Sequence, residues 1–249
     1  MTKRIFYIAQ TVPAMEYARK AIAASGISVA DTPGPDVTHL LLPVPSFQSG
    51  GLLRGDGDLR ELLAMLPENV TVLGGNLNQP VLSSYSTIDL LQDPLYLAEN
   101  AAITAHCAIK LAMQHMNLVF DACPALVIGW GRIGKCLAAL LQALRSEVTV
   151  AARKETDRAM AQALGYQVCA TSNLKGNYRI VFNTAPLIPI TSAQSDAWGA
   201  DCLKVELAST LSLPGEDVLW ARGLPGVLAP ESSGNLIAQT ATRLTGGSL

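Results

Sequence analysis

The chain of 249 residues is long enough for one large domain or two modest ones, and its 49% hydrophobic content supports a sizeable aliphatic core. A formal net charge of −2, with no basic run, excludes a general nucleic-acid binder. No apolar stretch is long enough to span a bilayer and the first residues lack a signal-peptide pattern, so the expected location is the cytosol. Five widely spaced cysteines (Cys107, Cys123, Cys136, Cys169 and Cys202) include no C-x-x-C pair, so they read as reduced thiols and no metal site is expected.

In chain order, residues 5–9 predict a buried strand, and residues 14–25 carry a helical period that Gly26 stops. Residues 27–30 and 39–42 predict further strands. Residues 59–66 predict a short helix ended by Pro67, and residues 70–73 a strand that runs into a Gly74-Gly75 turn. Strands alternating with helices imply an open parallel sheet. The turn after the first strand reads Gln10-Thr11-Val12-Pro13, so this first unit has no glycine fingerprint. Residues 43–57 are rich in Pro, Gly and Ser. They predict a long loop at a strand's carboxyl end, where open α/β sheets bind ligands.

Residues 95–116 predict a helix that joins this unit to a second. There, residues 125–128 (strand), 133–144 (helix), 147–151 (strand) and 156–164 (helix) follow in order, with strands at 180–182 and 203–206. Residues 236–244 predict an amphipathic helix that crosses back to the first unit. The expected fold is therefore α/β with two Rossmann-like open parallel sheets, the second a dinucleotide-binding domain. The expected domains are residues 1–100, completed by 230–249, and residues 101–229.

The most informative segment runs from Ala125 to Leu144, A-L-V-I-G-W-G-R-I-G-K-C-L-A-A-L-L-Q-A-L. Gly129, Gly131 and Gly134 stand in G-x-G-x-x-G spacing between a strand and a helix, the arrangement that takes a dinucleotide pyrophosphate on a helix N-terminus. Ile133 lies inside the loop. Arg132 beside it is either a surface charge or one more cation near the pyrophosphate. One strand later an acid would favour an unphosphorylated ribose, but Ala152 stands there, followed by Arg153 and Lys154. Arginine presents a planar fork of donors to a 2′-phosphate, so NADP(H) is the expected cofactor.

Thr184, Ala185 and Pro186 follow the strand at 180–182. They are either an ordinary strand-ending turn or the border of the nicotinamide. Glu206 ends the next strand and either orients a substrate or bonds local N–H groups. Gly223-Leu224-Pro225-Gly226 and Ala229-Pro230-Glu231-Ser232-Ser233-Gly234 form a second glycine- and proline-rich stretch, in which Ser232 either caps the last helix or meets a ligand. His106 is the candidate proton-handling group, because imidazole titrates near neutral pH; the alternative is a helix histidine satisfied by its neighbours. Cys107 has no visible activating neighbour as a nucleophile.

Together these pieces resemble the family of the dipicolinate synthase A subunit. The carrying residues are Leu41-Leu42-Pro43-Val44, Thr104-Ala105, His115, Val127 to Gly134, Val148 to Arg153, Asn183-Thr184-Ala185-Pro186, and Gly223 to Pro230 with Gly234. The resemblance covers most of the chain and is strongest over residues 101–244. It implies an oxidoreductase that uses NADP and acts, with a flavoprotein-like B subunit, on a small cyclic carboxylated product of the lysine route. A homodimer is expected. Carried over by residue, the loop glycines and Arg153 hold cofactor and Thr184 to Pro186 border the nicotinamide.

The chain departs from that family where an acid and a glycine are expected after Thr104-Ala105, since His106 and Cys107 stand there, and at Glu231, where a lysine is expected. Those departures motivate a second reading, a catalytically silent NADP-binding or partner-binding paralogue. A third reading, a D-2-hydroxyacid dehydrogenase, needs a late acid–base histidine, and this chain has none after His115.

Overall fold

A computed structural model describes residues 4–246 apart from 10, 49, 56, 187 and 189. The chain divides into two compact units, residues 1–100 with 225–249, and residues 101–224.

The first unit is built on β1 (Ile5–Ile8), α1 (Pro13–Ala24), β2 (Ser28–Val29), β3 (His39–Leu41), α2 (Leu59–Ala64), β4 (Thr71–Gly74) and β5 (Ser86–Asp89). Its strands pair in parallel in the order β2-β1-β3-β4-β5. Helix α1 starts at Pro13, whose missing N–H is harmless at a helix start, and stops before Gly26 at φ +80°. Leu40, Leu42, Leu63 and Val72 pack into one core, the near-continuous apolar pattern of a sheet covered on both faces. The loop at 43–57 lies after β3 and is tied to the β4 end, where Gly75 N donates to the buried Ser46 Oγ at 2.9 Å.

The chain passes from the first unit to the second within α3 (Pro94–His115). The second unit continues through β6 (Pro124–Ile128), α4 (Arg132–Ala143), β7 (Glu147–Ala152), α5 (Glu155–Ala163), β8 (Gln167–Ala170), β9 (Ile180–Asn183), α6 (Ser192–Asp196), β10 (Leu203–Glu206) and β11 (Leu219–Trp220). Its sheet is parallel in the order β11-β10-β9-β6-β7-β8. Counted from β6, this is the 3-2-1-4-5-6 order of a dinucleotide-binding sheet, whose direction reverses between β6 and β9.

Two helices complete the chain, α7 (Leu224–Leu228) and α8 (Pro230–Leu244). Most of the second glycine- and proline-rich stretch is thus helical. Ser232 does not cap α8: that position belongs to Ala229, and Pro230 opens the helix, so Ser232 lies within its first turn. Helix α8 packs on α1 in the first unit. Gly234 makes this approach possible, because a Cβ there would collide with the Ala14 carbonyl and sit 2.7 Å from Tyr17 Cβ. Burial of Leu236 and Ile237 on the same helix contributes roughly 2 kcal/mol each.

Strands β5, β8 and β11 had no counterpart in the sequence pattern. All three lie at sheet edges and are short: β5 is polar and largely exposed, β8 holds only two strongly apolar residues beside Gln167, and β11 is two residues long. Gln10, the first residue of the turn after β1, lies outside the described residues.

Candidate functional site

The glycine loop sits at the carboxyl end of β6, beside the point where strand order reverses. Gly129 has φ +108°, a conformation an L side chain resists, and a Cβ there would lie 2.5 Å from Thr184 Oγ1. At Gly134 a Cβ would collide with the Gly129 carbonyl oxygen, so this glycine lets α4 close onto its own loop. Gly131 differs: a Cβ there would meet nothing within 4 Å among the described residues. The three glycines therefore divide their work. Two permit close packing and the middle one leaves open space in front of a helix N-terminus, which has no side-chain cap.

That space belongs to a cavity of about 400 Å³ lined by Gly129, Trp130, Gly131, Arg153, Lys154 and Asp157, together with Ala152, Thr171, Ala185, Pro186 and Ile188. Gly129 and Gly131, Arg153 and Lys154, and Ala185 and Pro186 thus line one cavity. Ala152, the last residue of β7, carries no acid into the cavity. Arg158 donates from Nη1 to the carbonyls of Ala152 and Arg153, both at 2.9 Å, and so pins the turn that carries Arg153 and Lys154. Asp157 is the one carboxylate in the wall among the described residues. Trp130 meets the edge of Tyr166 at 5.7 Å between ring centroids, and Lys135 Nζ lies 5.8 Å from its ring.

Three hydrogen bonds lock the turn after β9. Thr184 N and Thr184 Oγ1 both donate to the Ile128 carbonyl, at 2.8 and 3.0 Å, and Ala185 N donates to Asn183 Oδ1 at 3.1 Å. Glu206, fully buried at the end of β10, accepts from Asn183 Nδ2 and from the backbone N–H groups of Ala208, Ser212 and Leu213. Of the two roles open to Glu206 in the sequence, the local N–H groups are its partners.

The remaining candidates fall elsewhere. Arg132 is exposed at the start of α4, Ile133 is half-buried and Gly134 is buried, and none of the three lines the cavity. His106 is exposed on α3, away from the cavity wall. Cys107 is buried, and desolvation pushes its thiol above the usual range, with Lys110 partly opposing, so it is not an activated nucleophile. Glu231 is exposed in the first turn of α8. All five cysteines stand unbridged.

Sequence reasoning did not single out Trp130, Asp157, Thr171 or Ile188. Trp130 was detectable as the variable position between two fingerprint glycines. The other three reach the wall only through strand order and helix phase.

A nicotinamide dinucleotide fits these residues. The open space at Gly131 would admit a pyrophosphate to the uncapped N-terminus of α4, and the same wall includes Arg153, Ala185 and Pro186.

Comparison with known proteins agrees. Residues 115–197 match the D-isomer specific 2-hydroxyacid dehydrogenase, NAD binding domain. The dipicolinate synthase A subunit of Bacillus subtilis (strain 168) is 28% identical over 156 residues, 58% of this chain. The matched stretch spans about half, 52%, of that curated relative. The crystal structure of the dipicolinate synthase A subunit from Bacillus halodurans superposes with a TM-score of 0.84 at 19% identity, covering 98% of both chains. That of its Bacillus subtilis counterpart gives 0.80 at 20% identity, covering 98% of this chain and 96% of the other. No helix among the described residues is long and apolar enough to cross a membrane. The chain is a homologue of the dipicolinate synthase A subunit, built around the nicotinamide-dinucleotide-binding domain of the dehydrogenases.

Proposed function

We propose that the chain is a cytosolic, NADP(H)-dependent oxidoreductase of the dipicolinate synthase A type, acting on a small cyclic carboxylated substrate and working with a flavoprotein-like B subunit. One observation carries the cofactor choice: Arg153 and Lys154 line the same cavity as Gly129 and Gly131, and Ala152 occupies the strand end where an acid would select an unphosphorylated ribose. An acid at Ala152 would repel a 2′-phosphate, whereas Arg153 meets it with paired N–H donors.

In this reading the N-terminus of α4 and the loop glycines bind the pyrophosphate, and Arg153 and Lys154 bind the ribose phosphate. Thr184, Ala185 and Pro186 border the nicotinamide ring. The cofactor, when bound, supplies the hydride donor or acceptor, while the protein contributes orientation and electrostatics.

Differential stabilisation tests the cofactor assignment. NADP(H) raises the melting temperature more than NAD(H) at equal concentration, and Arg153→Asp reverses that order. Equal stabilisation of the wild type by both cofactors sinks the 2′-phosphate assignment.

A second reading, a cofactor-binding paralogue without turnover, is favoured by the composition of the cavity wall at Ala185, Pro186 and Ile188, which offers no proton-handling side chain. A turnover assay with the cyclic lysine-route intermediate, with and without the flavoprotein-like partner, separates the two. Pyridine dicarboxylate formation excludes the silent reading, and cofactor binding without product favours it.

A further inference from the structure

Glu206 is an unusual carboxylate. It is fully buried, and its partners among the described residues are all neutral N–H donors. Oε1 accepts from Asn183 Nδ2 at 2.9 Å and Ala208 N at 3.1 Å, while Oε2 accepts from Asn183 Nδ2 at 3.0 Å, Ser212 N at 2.9 Å and Leu213 N at 3.1 Å. Buried carboxylates normally sit beside a cation. Here a shell of oriented dipoles replaces it.

An ionised carboxylate accepts hydrogen bonds and donates none. Glu206 therefore dictates which way the Asn183 amide points: Nδ2 must face the carboxylate. Asn183 is itself fully buried and has one remaining polar end, Oδ1, which is thereby turned toward Ala185 N at 3.1 Å. Ala185 belongs to the cavity wall. The relay runs from a buried charge on β10, through one amide on β9, to the backbone of the turn that faces the cavity.

We propose that Glu206 and Asn183 are positioning residues for the nicotinamide half of the dinucleotide. They act through Ala185 and touch no ligand themselves. The proposal rests on the reading that Thr184 to Pro186 border the nicotinamide. Replacing Glu206 by glutamine offers Asn183 a donor as well as an acceptor. The amide orientation is then no longer dictated, and Ala185 N loses its assured partner.

Calorimetric titration with a whole dinucleotide and with its adenosine half tests this. NADP+ and 2′,5′-ADP are titrated into the wild type, Glu206→Gln and Asn183→Ala. Glu206→Gln weakens NADP+ by about tenfold, the scale of losing one well-placed hydrogen bond, and leaves 2′,5′-ADP within about twofold. Asn183→Ala removes the amide at the middle of the relay and leaves Glu206 its backbone N–H donors. NADP+ binding weakens to within about threefold of Glu206→Gln, and 2′,5′-ADP again stays within about twofold of the wild type.

Equal weakening of NADP+ and 2′,5′-ADP, or no weakening of either, overturns the proposal. So does an Asn183→Ala variant that folds and binds NADP+ as tightly as the wild type. Failure of both variants to fold also overturns it, because the pair then serves the fold rather than the binding site. Repeating the titrations with NAD+ and ADP keeps the underlying reading separable. An error over the 2′-phosphate appears in the wild type as equal affinity for phosphorylated and unphosphorylated forms. An error over the turn appears as a wild type that binds whole dinucleotides no more tightly than their adenosine halves.

Discussion

After β1 the chain enters α1 through Thr11 and Val12; after β6 it enters α4 through Gly129, Trp130 and Gly131. Both are strand–turn–helix units at the carboxyl end of a parallel sheet, next to a reversal of strand order. In the first unit the loop at 43–57 folds back onto the turn. Gly55 is pressed so close to Thr11 that a Cβ would collide with the Thr11 carbonyl and lie 2.5 Å from its Cβ. In the second unit, among the described residues, a Gly131 Cβ would meet no non-neighbouring atom within 4 Å. The same supersecondary element is thus filled by its own chain in one unit and left open for an anion in the other. In the proposed reading, phosphate binding needs this open space in front of the helix and not the strand–helix order alone.

The largest effect on this contrast is expected at Gly134. Gly134→Val drives a branched side chain into the Gly129 carbonyl and toward Thr184 Oγ1, and unfolding in urea should show a loss of about 3 kcal/mol. A variant as stable as the wild type would mean that the loop relaxes and that the close approach is not needed. Gly131→Asp sits at the open position and predicts the opposite pair of results. Stability without cofactor stays within about 0.5 kcal/mol of the wild type, while the roughly 2.7 kcal/mol that saturating cofactor adds at a hundredfold excess over Kd disappears. Retained stabilisation by NADP(H) would show that the anion does not sit in front of α4.

Gly55→Val tests the filled turn. Its φ of +81° and the collision with Thr11 predict a loss of about 2 kcal/mol. Cofactor-induced stabilisation should be unchanged, and a matching loss of cofactor binding would break the separation between the two turns.

The smallest effect concerns the ion pair that holds the first unit's last helix. Arg243 Nη2 lies 2.7 Å from Asp93 Oδ1, and Tyr96 N donates to the same oxygen at 2.7 Å. The bond from Arg243, then that from Tyr96, hold the Asp93 carboxyl below the usual carboxylate range. Its stabilisation is therefore present above the unfolded value near pH ~4 and fades as pH falls through the lower folded value. Arg243 is partly exposed, so the ion pair is screened, and Asp93→Asn should cost no more than about 1 kcal/mol at neutral pH. Acid titrations of melting temperature for the two proteins should converge below pH ~3; parallel curves would remove Asp93 from the acid response.

Much of this architecture was legible in the sequence. Interior strands such as Pro124–Ile128 announce themselves as apolar runs, because parallel strands are covered on both faces. Edge strands such as Ser86–Asp89 do not, because one side of each meets solvent and the composition turns polar. The cofactor cavity was legible where its residues follow a spacing rule, at Gly129, Gly131, Ala152 and Arg153. Asp157 and Thr171 were not, because their place in the wall depends on the phase of α5 and on the order of β7 and β8. Ser232 was misplaced for a local reason: Pro230 is well suited to a helix's first position, so α8 begins before the serine.

What the sequence by itself determined is local: the glycine turn, the strand and helix that flank it, and the alanine–arginine pair one strand later. These follow from backbone sterics and from hydrogen-bond donors carried on consecutive residues. What only the tertiary structure decided is who meets whom across the sheet. Glu206 and Asn183 are separated by 23 residues, and no periodicity relates them. Parallel pairing of β9 and β10 sets them side by side, and burial then obliges the carboxylate to collect every nearby N–H group, because an unpaired charge there would be costly.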